Sequence, residues 1–164
     1  MLFAAVLFVS CSNETPKDLS KKVDQLISED NYSQALNLLN SANTNKTDAD
    51  ISKLKEKTYL NYGLFLEYRG PKESSMRDRM TSALQQYIQV LKINSNNQKA
   101  RSEIQQIMGV YKTMPNKSPG DDIISELNKL GFDYWSIKEK RERANGRKTF
   151  SVSPLPSAPF HADY

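Results

Sequence analysis

Met80, Ala83, Leu84, Tyr87, Ile88 and Leu91 stand at positions i, i+3, i+4, i+7, i+8 and i+11. Apolar side chains at that spacing line one face of an α-helix, which returns to the same side about every 3.6 residues. The pattern predicts a helix from about Met80 to Ile93, and a helix with so wide an apolar face must cover it with other elements. The neighbouring stretches carry the same period. Leu19, Val23, Leu26 and Ile27 mark a first helix that Asp18 or Ser20 can cap. After the turn Ser28-Glu29-Asp30-Asn31, a second helix has Tyr32, Ala35, Leu36, Leu39 and Ala42 on one face. Ile51, Leu54, Thr58, Tyr59, Tyr62 and Leu66 belong to a long third helix that ends at Tyr68 or Arg69, where Gly70-Pro71 is a stop signal. Ala100, Ile104, Ile107, Met108 and Tyr111 mark a fifth helix. Asp121 to Leu130, acidic at its start and closed by Gly131, makes a sixth. The fold class is all-α, with extended tails at both ends.

Two of these helix pairs share a residue order. Tyr62-Gly63, Leu66 and Gly70 precede Ala83, Tyr87 and Val90, with Asn94-Ser95-Asn96-Asn97 closing the unit. About 40 residues earlier, Asp30-Asn31-Tyr32, Ala35, Leu39 and Ala42 repeat the second half of that order, while Val23 stands where a small residue is expected. This pattern resembles the tetratricopeptide repeat. In that family a small residue in the first helix lets the second cross close by, and an alanine seats the second helix against the gap. Ser95 replaces the usual closing proline, and the segment from Pro71 to Met80 stands where the family has a tight turn. The resemblance implies a short solenoid of helical hairpins over residues 18–113. The fifth helix would cap its last open face, since one repeat cannot bury its own apolar side. Residues 114–148 follow as a C-terminal helical extension, broken at Met114-Pro115-Asn116-Lys117-Ser118-Pro119-Gly120, with an aromatic cluster of Phe132, Tyr134 and Trp135.

The N-terminus has a different character. Met1 to Val9 is wholly apolar, and Ser10 and the single cysteine, Cys11, come next, ahead of the polar run Ser12-Asn13-Glu14-Thr15-Pro16. Nine apolar residues are too few to cross a bilayer, which takes about 20, but they suit the apolar core of a secretory signal. One cysteine excludes a disulfide within the chain. Leu7-Phe8-Val9-Ser10-Cys11 resembles a bacterial lipoprotein signal, departing at Phe8, where leucine is usual. That resemblance implies a signal peptide over residues 1–10, lipidation at Cys11, and a tether over residues 11–17. It further implies a place at the bacterial cell envelope, on the outer membrane where the cell has two.

Charge points the same way. The net charge of +4 is accounted for by the run Lys138 to Lys148, with six basic and two acidic residues, so the rest of the chain balances to zero. A balanced body argues against nucleic acid as a partner. The run itself reads as a solvated helix end laced with Glu–Lys pairs, or as a strip for anionic lipid head groups. Residues 149–164, with Pro154, Pro156 and Pro159, read as a disordered tail.

No catalytic constellation is legible. The single histidine, His161, lies in the Pro-rich tail, and the glycines are scattered rather than gathered into a phosphate loop. Asp48, Asp50, Asp121 and Asp122 sit where helices start and read as caps rather than metal ligands. The sequence therefore implies no enzyme, cofactor or metal, and a protein or peptide as the partner. Tyrosine is frequent in the central helices and is well suited to binding surfaces. In the repeat family the inner groove is lined by first helices, which makes Asn61, Phe65 and Tyr68 the candidate partner-binding residues. Tyr62 and Tyr87 read as core.

Overall fold

A computed structural model of the chain describes residues 16–42, 48–114 and 117–134. Outside them lie residues 1–15 with Cys11, residues 43–47, Pro115-Asn116, Trp135, the basic run and the residues around His161. The described residues form six helices: α1 (Pro16–Ser28), α2 (Tyr32–Ser41), α3 (Asp48–Leu64), α4 (Met76–Ile93), α5 (Gln98–Thr113) and α6 (Asp121–Lys129). The protein is all-α. A π-turn, Phe65–Arg69, continues α3 without a break and is closed by the Gly70 amide donating to the Phe65 carbonyl at 2.6 Å.

Local chemistry explains where these helices begin and end. Within the described residues α1 runs from Pro16, ahead of Asp18 and Ser20. Its end is a Schellman turn: the Asn31 amide reaches back to Leu26 and the Asp30 amide to Ile27, with Asp30 in the left-handed region at φ 58°. Helix α4 starts at Met76, one turn before the predicted Met80. Its cap is Ser75, whose hydroxyl accepts from the Asp78 amide at 3.1 Å and donates to the Asp78 carboxylate at 2.6 Å. That first turn is exposed, so the apolar period alone does not reveal it. Asn97 caps α5 by accepting from the Ala100 amide at 2.9 Å. Gly131, at φ 84°, closes α6 in a second Schellman turn, the Phe132 amide reaching Leu127 and the Gly131 amide reaching Asn128.

The helices pack in chain order. Helix α3 lies against both α1 and α2, α4 against α3 and its π-turn, α5 against α4, and α6 against α4. Two apolar clusters result. The smaller joins Leu19 and Val23 of α1 to Ala35 and Leu39 of α2, with Leu54 of α3 packed on it. The larger is built on the stripe of α4. Met80, Ala83, Leu84, Tyr87, Ile88, Val90 and Leu91 are all buried there, against Leu66 and the buried faces of α5 and α6. Ile123, Ile124, Leu127 and Phe132 belong to this same cluster, so α6 shares one core with α4 and α5. A salt bridge of 2.7 Å from Lys92 to Glu126 ties α6 to α4 from outside, and Lys129 pairs with the same carboxylate within α6 at 2.7 Å.

The crossing of α3 and α4 depends on Gly63. A Cβ at that position would stand 2.8 Å from Cδ1 and 2.9 Å from Cζ of Tyr87, and closer still to Cε1. The gap is thus filled by Tyr87, one helical turn beyond the Ala83 that the repeat resemblance would seat there. Ala83 is itself fully buried.

Candidate functional site

The π-turn is where polar groups enter the interior. A π-turn holds an extra residue per turn and so turns side chains away from the faces that an α-helix would give them. Three successive side chains go three ways here. Glu67 points at α4 and α5, Tyr68 at α5, and Arg69 back to the α1–α2 turn, as their hydrogen bonds show.

On the inner side, the hydroxyl of Tyr87, a residue with no exposed surface, donates to Glu67 Oε2 at 2.8 Å. The Tyr68 hydroxyl donates to Glu103 Oε2 at 2.6 Å. Gln106 Nε2 bridges the two sides, donating to Glu67 Oε1 at 3.2 Å and to the Tyr68 oxygen at 3.0 Å. Glu103 is only 3% exposed, and Lys99, one turn before it on α5, pairs with its other oxygen. Two carboxyl groups from separate elements are therefore joined in one hydrogen-bonded cluster through Gln106 and Tyr68, beside one ammonium group.

Their electrostatics diverge. Burial raises the pKa of Glu67; the Tyr87 hydroxyl works against this, and the charge and hydrogen bond of Glu103 add to the rise. Burial also acts to raise Glu103, but hydrogen bonds from Lys99 and Tyr68, with the Lys99 charge, outweigh it and hold that carboxyl below the usual range. Tyr68 is pushed up to about 12, first by its bond to Glu103 and then by burial. Burial and the bond to Glu67 raise Tyr87.

On the outer side, Arg69 Nη2 donates to Asp30 Oδ1 at 2.7 Å, and the Tyr32 hydroxyl donates to the same oxygen at 2.9 Å. The Tyr32 ring stacks on Tyr62 at 5.0 Å between centroids and leans on Phe65 at 5.4 Å, with the Arg69 guanidinium 5.1 Å from the Phe65 centroid. Burial, then the bond to Asp30, pushes the Tyr32 hydroxyl up to about 12. This cluster fastens the first hairpin onto the π-turn.

The three residues expected to line a groove take separate places. Asn61 donates to the Lys57 carbonyl of its own helix at 2.8 Å. Phe65 packs toward α2 against Tyr32, whereas Tyr68 faces α5. Tyr68 is 55% exposed while its hydroxyl is held by Glu103, so it presents an aromatic surface pinned at one end. At the far end, Phe132 is buried and stacks on Tyr134 at 5.8 Å, under Arg101 and Lys112 of α5. Cys11, the expected lipidation residue, lies outside the described residues.

Sequence reasoning missed Glu67, Glu103 and Gln106, although a signal for two of them was present. Glu103 interrupts the apolar stripe of α5, three residues after Ala100 and four before Ile107. Glu67 comes one turn after Gly63, on the side where Tyr87 approaches.

Among the described residues no three His, Cys, Asp or Glu side chains gather as a metal site, and no helix is long and apolar enough to cross a membrane. Compared with family models, curated proteins and solved structures, the chain matches none of them. The resemblances drawn above therefore rest on the residues quoted for them.

Proposed function

We propose that this chain is a non-enzymatic lipoprotein, held on a bacterial envelope membrane through Cys11. Its short tetratricopeptide-like solenoid of helical hairpins holds a protein or peptide partner there. The observation that carries the reading is the α3–α4 crossing, where Gly63 makes room for a fully buried Tyr87. A small residue in a first helix that lets the second cross close by is what the repeat resemblance implies, although Tyr87 rather than Ala83 takes the gap. The placement of α3 against both helices of the preceding hairpin supports it as well. Tyr68, exposed and pinned at its hydroxyl, is the residue of the expected groove best suited to meet a partner, because a held aromatic ring offers contact area at little entropic cost. No cofactor or metal enters this reading.

The anchor is tested by detergent phase partition of the full chain expressed in a bacterial host. Wild type is expected in the detergent phase and Cys11→Ala in the aqueous phase, because several acyl chains hold a protein where one is marginal, at about 0.8 kcal/mol per buried CH₂. Mass spectrometry should find a mature chain that begins at an acylated Cys11. An intact Met1 in membrane-extracted protein refutes lipidation. Aqueous partition of both forms would favour a cytosolic repeat adaptor whose apolar N-terminal segment faces a partner. Detergent partition that depends on a second envelope protein would favour an accessory subunit of an assembly or secretion complex.

A further inference from the structure

We infer that the hydrogen-bonded cluster joining Glu67 of the π-turn to Glu103 of α5 is a proton-operated latch, which seats α5 when Glu67 is protonated and loosens it when Glu67 is ionised. The cluster has two carboxyl groups and one cation. Tyr87 faces Glu67 from α4, Tyr68 lies beside it on the π-turn, and Glu103, Gln106 and Lys99 face it from α5. With one proton on Glu67, the charges of Glu103 and Lys99 cancel, and Glu67 can donate to Glu103 while accepting from Tyr87 and Gln106. Without that proton, two carboxylates stand in one cluster between the π-turn and α5, and Lys99 offsets only one of them. Water cannot screen the excess well, because Glu103 is almost fully buried.

The direction of pH dependence follows. Glu67's pKa is raised in the folded chain, so its stabilising contribution is complete below the ordinary glutamate value of about 4.3. It falls as pH rises through the raised value. Glu103 is lowered, so its contribution is lost only toward strong acid. The described residues contain no histidine, which leaves Glu67 as the carboxyl among them shifted toward neutral pH. Loosening α5 would uncover Ile104, Ile107, Met108 and Tyr111, now buried against α4. The latch is thus a device for exposing the end of the helical stack as pH rises. It does not depend on the anchor or on the partner proposed above.

Hydrogen exchange of the full chain, followed by mass spectrometry between pH 4.5 and 8 and corrected for intrinsic rates, tests the latch. In wild type the protection of α5 amides should fall by up to about tenfold per pH unit until Glu67 is ionised, then level off. In Glu67→Gln, which keeps one accepting oxygen, places a donor at the other edge and cannot ionise, the protection should not change over that range. Equal pH dependence in the two proteins overturns the proposal. Should Glu67→Gln not fold, a carbon-13 titration of the Glu67 carboxyl in wild type decides. Titration above the ordinary glutamate value supports the latch, and titration at or below that value overturns it.

Discussion

Gly63→Ala adds one methyl group at the crossing of α3 and α4, and its effect can be worked from the geometry. In an open helix the change stabilises by about 1 kcal/mol, because glycine is a poor helix former. Here the new Cβ would fall within 3 Å of three atoms of the Tyr87 ring. The ring cannot step aside freely, since it has no exposed surface and its hydroxyl is tied to Glu67 at 2.8 Å. Overpacking of this kind costs about 1–3 kcal/mol, and losing the bond to Glu67 would add about 1.5–3 kcal/mol if the ring is displaced. After the propensity gain, a net loss of about 1.5–5 kcal/mol is expected with the ring displaced. Gly109→Ala is the control, because a Cβ there meets nothing within 4 Å, and it should stabilise by up to about 1 kcal/mol. Urea unfolding followed by circular dichroism at 222 nm measures both. In a Tyr87→Leu background the Gly63→Ala penalty should shrink or reverse, giving a coupling of about 2 kcal/mol or more. A neutral or stabilising Gly63→Ala in the wild-type background, or strict additivity with Tyr87→Leu, would refute the assigned crossing.

Two smaller changes probe the segment between α3 and α4. Ser75→Ala removes the hydroxyl that caps α4 and should lower stability by about 1 kcal/mol, with no loss of overall helix content at low denaturant. Gly70→Ala forces a side chain onto a backbone at φ 41° and into Cδ of Arg79, so it should cost about 1–2 kcal/mol or more by urea unfolding. An unchanged midpoint for Gly70→Ala would mean that this turn does not hold the left-handed conformation.

How much of this was legible in the residues follows from the range of the interactions involved. Helix positions are set by period and by near neighbours in the chain. The stripe of α4, the long α3 stopped at Gly70, and the closure of α6 by Gly131 all followed from spacings of a few residues. Capping is local too, but Ser75 was overlooked because the turn it starts is exposed and carries no apolar period. Two kinds of information depend instead on residues far apart in the chain. Sequence spacing indicates that Gly63 needs a close neighbour, yet only packing assigns that place to Tyr87 rather than Ala83. The groove residues show the same limit: a uniform helix would keep Phe65 and Tyr68 on nearby faces, whereas the π-turn sends one toward α2 and the other toward α5. The carboxyl pair was the least legible. Glu67 and Glu103 are ordinary charged residues by type, and no local rule brings them together. The sequence determined that this chain is a set of amphipathic helices preceded by a short apolar stretch. Only the tertiary structure decided which polar groups those helices bury, because burial of a charge depends on what α4 and α5 place around it.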